Sequence, residues 1–386
     1  MEERLFSFAK IVYMKKIIGK ALLVLSGIIL ILLTYALINS WNYSAKAFSP
    51  PKRPEYAGTL SKNEVLKQAS HLPLHGYYGP EDMVERGGYL YCGARVNKKD
   101  FHNDGKILKI DLSSGAVKEF ASLPSWLGAI QFDHNGNLLA CVISKGLASI
   151  DSTGKVTWLA THDSGDQRPF EIANDMDIAA NGDVFFSVTS NDYSFSTDNM
   201  VKLLASAEPQ GGLYCYHPAT GNVETIAKGF LGINGVTLTQ NEEAVIVVEM
   251  GAYRLKKIWL KGDKKGNQET IAENLPGFPN NIVRRPDGTF WLAISNDRND
   301  ELDKMHPHPM LKKIVMGLPG FLKPQPEPFG LLLHINEHGE ILHSYFDTDG
   351  NVVSEMSSVY EFGNNLYMGG DNLDHINYIN MNLLVK

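Results

Sequence analysis

This chain is short of cysteine and of concentrated positive charge, and both shortages narrow what it can do. Its 386 residues include three cysteines, Cys92, Cys141 and Cys215, too few and too scattered for a disulfide framework or a zinc site. Each falls in an apolar run (LYCGA, LLACV, LYCYH) and reads as a small core hydrophobe. The formal net charge is -7 and no dense Lys/Arg cluster occurs, which excludes a nucleic-acid footprint. Long charge-free runs are scarce too, with one exception at the N-terminus. With 44% hydrophobic and 20% charged residues, the rest is ordinary globular material, enough for one large domain or two small ones.

The exception is ALLVLSGIILILLTYALI, residues 21–38. At about 1.5 Å per residue it spans about 27 Å, close to the thickness of a bilayer's hydrocarbon core. Arg4, Lys10, Lys15, Lys16 and Lys20 precede it. That basic excess predicts a short cytoplasmic N-terminus over 1–20, a single-pass transmembrane anchor over 21–38, and an extracytoplasmic remainder, whether periplasmic, luminal or extracellular. Trp41 and Tyr43 are expected at the membrane interface. The alternative is a cleaved signal peptide, since Ala45-Lys46-Ala47 has the A-x-A form. Against it, the apolar run is too long and too far from that tripeptide. Residues 39–62, with PPKRP at their centre, form a linker, and 63–386 form the folded unit.

Within that unit a repeat is legible. Six segments join a turn to an alternating apolar run: GGYLYCG from Gly87, NGNLLACV from Asn135, NGDVFFSV from Asn181, NEEAVIVVE from Asn241, DGTFWLAI from Asp287 and GNNLYMGG from Gly363. A short strand precedes each turn, another strand follows, and in five of the six an outer strand comes after that. Four strands per unit, recurring at roughly 46 to 76 residues, predict an all-β six-bladed propeller. The last unit lacks its outer strand. NEVLKQASHL, from Asn63, resembles NVETIAKGFL and is expected to supply it, closing the ring. Two stretches, 192–210 and about 297–329, are too long for hairpin loops. The second, with Leu, Met, Ile and Val at near-helical spacing, predicts a helical insertion across one face of the ring. It would serve as a lid, a membrane-surface contact or plain packing. His306 and His308 alternate with proline in HPHP, which suits extended chain better than a metal face.

The first strand of each blade lines the central channel, so aligned positions there face one another. Two places before the first apolar residue stand Glu81, Gly128, Asn174, Asn234, Asn280 and Ser357. Four carry a carboxylate or carboxamide oxygen and one a hydroxyl. Hard oxygen donors in a ring point to Ca2+, which takes six to eight such ligands in irregular geometry, whereas zinc would call for His or Cys. Asn281, one step on, is a further amide oxygen. The plainer reading is that these asparagines cap turns and bond local backbone. One register shared by four blades favours the metal.

Glu81 in GPED, ANDMDI, INGVTL, VVEMGAYRLKKIWL and ENLPGFPNNI resemble, in order and spacing, the strictosidine-synthase-like family, most closely its adipocyte plasma-membrane-associated protein type. That group is related to gluconolactonases and paraoxonases, and the likeness runs from about residue 63 to the C-terminus, including MLKKIVMGLPGFL. The resemblance implies a six-bladed propeller with a membrane anchor and a calcium-dependent hydrolase of esters or lactones. Glu81, Asn174, Asn234 and Asn280 would hold the metal with Asn281 nearby, and the metal would polarise a small-molecule ester carbonyl. Catalysis would centre on Glu81 and Asn280, with attack supplied by a carboxylate or a water at the ion. Two departures matter. Strictosidine synthase uses a glutamate in the first strand of its last blade where this chain has Ser357, so the alkaloid-forming condensation is not expected. Relatives read PDN where this chain reads PNN, so Asn280 replaces an aspartate and removes both a charge and a base. Calcium should then bind more weakly unless Asp175 or another carboxylate reaches in. The alternative function is a non-catalytic, calcium-stabilised propeller that binds a protein or lipid.

Overall fold

In the computed structural model, which describes residues 2–323 and 327–384, the repeats fold into six antiparallel four-stranded sheets arranged as a propeller. Residues 324–326 of the expected insertion, 385–386 of the folded unit and Met1 lie outside the described residues. Blades 1 to 5 run in chain order. Their inner strands are Met83–Arg86, Leu127–Phe132, Ala173–Ile178, Ile233–Leu238 and Gly277–Arg284. Blade 6 combines Met356–Phe362, Asn365–Gly370 and His375–Asn380 with Ser70–Pro73 as its outermost strand. That strand pairs antiparallel with the last, Ser70 opposite Tyr378 and Pro73 opposite His375. Only the end of the predicted closing segment pairs. Val65–Gln68 is a short 3-10 turn whose Leu66 is fully buried in the seam of blades 5 and 6.

The core is divided among the seams between blades. Ile246, Val248 and Leu255 of blade 4 pack against Ile282, Leu292 and Leu331 of blade 5, and each neighbouring pair repeats the arrangement. Strands buried on both faces need the near-continuous apolar runs that marked the repeats. Cys92, Cys141 and Cys215 lie in these seams, buried and unpaired.

Among the described residues four α-helices stand outside the sheets. The first, α1 (Glu2–Asn39), is one unbroken helix through both the expected N-terminal segment and the anchor, and its stretch Tyr13–Asn39 is long and apolar enough to cross a membrane. The first insertion holds α2 (Thr197–Ser206), started by the Ser196 side chain accepting from the Asn199 amide. The second holds two helices rather than one: α3 (Asp300–Met305), capped by Asn299, and α4 (Pro309–Gly317), opened by a proline at its first turn. Both insertions join a second strand to a third. Because Ala173 pairs with Val188 and Gly277 with Asp297, they emerge at the end of the ring where the inner strands begin.

The segment after α1 is not a free linker. Tyr43, expected at the interface, is instead buried, with its hydroxyl donating to the Lys202 carbonyl of α2 at 2.9 Å. Trp41 remains exposed. His306 is buried edge-on against Phe48, and burial drives its pKa down to about 4.

Candidate metal centre

The aligned positions occupy a shared defect in the inner strands. Ladder pairing slips between Ala173 and Met176, Ile233 and Val236, Pro279 and Ile282, and Met356 and Val359, so each pair of residues in between sits in a β-bulge. In blade 1 Glu81 and Asp82 stand just ahead of the paired strand. A bulge frees residues from the ladder and re-aims their side chains. Here it recurs at one level around the axis and separates two sets of side chains.

In blades 1, 3, 4 and 5 the first of the two residues keeps a side-chain oxygen without a partner. Glu81, Asn174, Asn234 and Asn280 are all buried, and Glu81 Oε2 and the Oδ1 atoms of the three asparagines accept no hydrogen bond. Thirteen buried side-chain atoms lack a partner among the described residues, and six belong to these four residues and Asn281. An unmet buried oxygen costs about 1–3 kcal/mol, and here four stand in one register of four blades. Blade 2 offers none: a Cβ at Gly128 would lie 2.4 to 3.0 Å from backbone atoms of Asn174 and Ala173 in blade 3. Blade 6 places there a buried hydroxyl that is already partnered, Ser357 donating to the Glu81 carbonyl at 3.0 Å.

In blades 1 and 3 the next residue along, an aspartate, is tied to the neighbouring blade. Asp82 Oδ2 accepts from the Ile130 amide at 2.9 Å. Asp175 Oδ2 accepts from Val236 N at 2.7 Å and its Oδ1 from Met176 N at 2.9 Å, so this carboxylate is committed to backbone and does not reach the ring. Asn281 parts from Asn280. It lines, with Asp82 and Asp175, a cavity of about 530 Å³ within the channel, which extends along the inner strands to Arg86, Asp177 and Arg284.

A carboxylate does reach Glu81, but from outside the aligned register. Asp371, just beyond the second strand of blade 6, is hydrogen-bonded to it. Burial, then the charge and hydrogen bond of Asp371, hold the Glu81 carboxyl well above the ordinary glutamate range. Burial likewise raises Asp82 to about 6. Arg95 faces the pair: it is fully buried, its guanidinium lies 4.0 Å from the Phe101 ring centre, and Nη2 donates to Lys98 O at 2.8 Å and Asn372 Oδ1 at 3.2 Å. Its Nη1 has no partner. Aligning first strands could not find Asp371 or Arg95, since both sit in links between second and third strands. The available signal was positional: GGD closes blade 6 at the end of the ring where Glu81 opens blade 1.

A different cluster makes a useful contrast. Asp183, Cys215 and His217 come within metal-binding reach of one another. There the imidazole is already met, Nδ1 by Asp183 at 2.9 Å and Nε2 by Glu224 at 3.3 Å, and burial pushes the Cys215 thiol up to about 12. It is a closed ion-pair group. The inner-strand ring is open.

Comparison with known proteins agrees with this architecture. The strictosidine synthase family matches residues 174–263, and the N-terminal region of strictosidine synthase-like proteins matches 58–96. Adipocyte plasma membrane-associated protein of Danio rerio is 29% identical over 346 residues, covering 84% of this chain and 80% of the relative. Among solved structures, a gluconolactonase of Xanthomonas campestris superposes with TM-score 0.56 at 12% identity, over 87% of this chain and 97% of its own. Regucalcin of Agrobacterium tumefaciens, described as a calcium-binding protein, gives TM-score 0.54 at 13% identity, over 81% and 92%. At such identities the structural likeness establishes the fold.

Proposed function

Taking as premise that this chain belongs to the strictosidine-synthase-like family of six-bladed propellers, we propose that it is a membrane-anchored, calcium-dependent hydrolase of esters or lactones. The observation that carries the reading is the set of four unpartnered buried oxygens, on Glu81, Asn174, Asn234 and Asn280, in one register of four blades. All are hard donors suited to calcium, and the remaining coordination positions would be left to water and substrate. When bound, the ion would polarise the acyl carbonyl and stabilise the negative charge that builds on its oxygen.

The rest falls to the protein. Asn280 cannot take a proton. The Glu81–Asp371 pair can: burial, then the neighbouring Asp371, hold the Glu81 carboxyl above the ordinary glutamate range and make it a better proton acceptor. An attacking water would pass one proton to that pair as its oxygen bonds the acyl carbon. The acyl C–O bond then breaks, and the leaving alkoxide takes the proton back. Arg95, its Nη1 unpartnered, holds positive charge beside the pair. The condensation that would need an acid in blade 6 finds only Ser357, engaged with the Glu81 carbonyl. For the anchor, the support is α1, exposed along an apolar stretch long enough to span a bilayer.

The test is hydrolysis of aryl acetates and aliphatic lactones by the full chain in detergent or nanodiscs, with calcium or chelator, alongside Glu81→Gln and Asp371→Asn. Activity lost in chelator and in both variants is expected; activity that survives them overturns the site. The alternative, a calcium-stabilised propeller that only binds a protein or lipid partner, draws on the missing acid at Asn280. It predicts a calcium-dependent melting temperature with no turnover across the panel.

A further inference from the structure

Helix α4 divides its apolar residues between two faces, one of them in the open. It buries a lysine, Lys312 at 0% exposure, alongside Met316, while Met310 at 64% and Leu311 at 43% stand in the open. Ile314 and Leu318, which extend the same face, are partly exposed, and Leu322 is exposed. A helix on a water-facing surface does the reverse, turning its apolar stripe inward. The lysine is accommodated by backbone: Nζ donates to the Lys46 carbonyl and, at 3.4 Å, to that of Ser206, and burial pulls its pKa down to about 8. Among the described α-helices only α1 also exposes large apolar side chains.

What lies beside that face is α1. A Cβ at Gly317 would strike the Ala36 carbonyl, so the last turn of α4 rests directly on the last turns of α1. The chain then returns along α4. Met316 clusters with Tyr43, Lys312 reaches Lys46, and the Phe48 amide donates to the His306 carbonyl at 3.0 Å. Ala36 stands three residues before Asn39, the end of the apolar stretch, which at about 1.5 Å per residue is about 4.5 Å inside it. A bilayer crossed by α1 therefore reaches the level of Gly317.

We propose that α4, with residues 318–322, lies in the surface layer of that same bilayer, so that the end of the propeller bearing Glu81, Asn174, Asn234 and Asn280 faces the lipid. The inference rests on the anchor reading and adds an occupant for the exposed apolar face: the membrane itself, continuous with the lipid-facing side of α1. Topology fixes the orientation, since both helical insertions leave the ring at the end where its inner strands begin.

The experiment uses the full chain in phosphatidylcholine liposomes carrying a doxyl-labelled acyl quencher. Met310→Cys, Leu311→Cys and, at the opposite end of the ring, Asn135→Cys each receive an environment-sensitive fluorophore; the native cysteines are buried and do not compete. Labels at 310 and 311 are expected to shift to the blue and to be quenched several-fold more than the label at 135. Equal quenching at all three sites overturns the proposal. So does a blue shift that ignores the quencher and disappears on dilution, which would mean a second copy covers the face. Flotation of the same samples separates the two readings: a chain that floats while 310 stays in water loses this inference alone, and one that does not float loses the anchor as well.

Discussion

Neighbouring residues in the same bulges have opposite fates. Glu81, Asn174, Asn234 and Asn280 present oxygens that nothing in the chain satisfies, while Asp82 and Asp175, one residue on, bond the backbone of the adjoining blade. Both sets are buried, polar and placed by the same local geometry. The difference is that a bulge points consecutive side chains two ways, one toward the axis and one along the seam. Burial of a polar group thus says little by itself about role; the presence or absence of a partner separates ligand from staple.

The contrast can be broken from either side. Replacing Asp175 by Ala strands two backbone amides, and about 3 kcal/mol or more of stability should go in chemical denaturation, with or without calcium. A loss confined to calcium affinity would place Asp175 among the ligands instead. Calcium at a hundred times its dissociation constant should raise stability by about 2.7 kcal/mol, and Glu81→Gln should remove most of that gain while sparing the chelated protein. The pH response sharpens the comparison further. Without metal, burial raises Asp82 to about 6 and holds Glu81 and Asp175 well above their ordinary range. A raised value means stability that is complete below the unfolded pKa, near 3.8 for Asp82, and lost as pH rises through the folded one. Chelated protein should therefore lose at least about 1.4 kcal/mol between pH 5 and pH 8, the share of Asp82, and calcium should lessen the fall by neutralising Glu81. The smallest effect belongs to Asn280→Asp: the added charge should tighten calcium about tenfold, or about 1.4 kcal/mol, read by titration calorimetry.

Much of this was legible in the sequence. Repeated turns and two-residue alternation announce six blades because each blade must bury both faces of its strands, and the donor positions align because all six inner strands enter the channel the same way. Asn281 was harder. Placed beside Asn280 in the chain, it lines the inner cavity instead, since a bulge reverses the direction of adjacent side chains in a way no one-dimensional pattern records. Asp371 and Arg95 come from links outside the repeat register, where spacing carries no information about which blade end is reached. Tyr43 looked like an interface aromatic and proved a packing residue, because the helices that bury it lie far along the chain.

The pairing of Ser70–Pro73 with His375–Asn380 has a consequence in time. On the ribosome the first strand of the ring is made early and its partner almost last, so blade 6 cannot form until Tyr378 has been synthesised. Such long-range pairing is slow to find. If α1 inserts as it emerges, one half of the clasp is already held at the membrane while the other is still being threaded across. The anchor then shortens the search, keeping Ser70 near the place where Tyr378 must arrive.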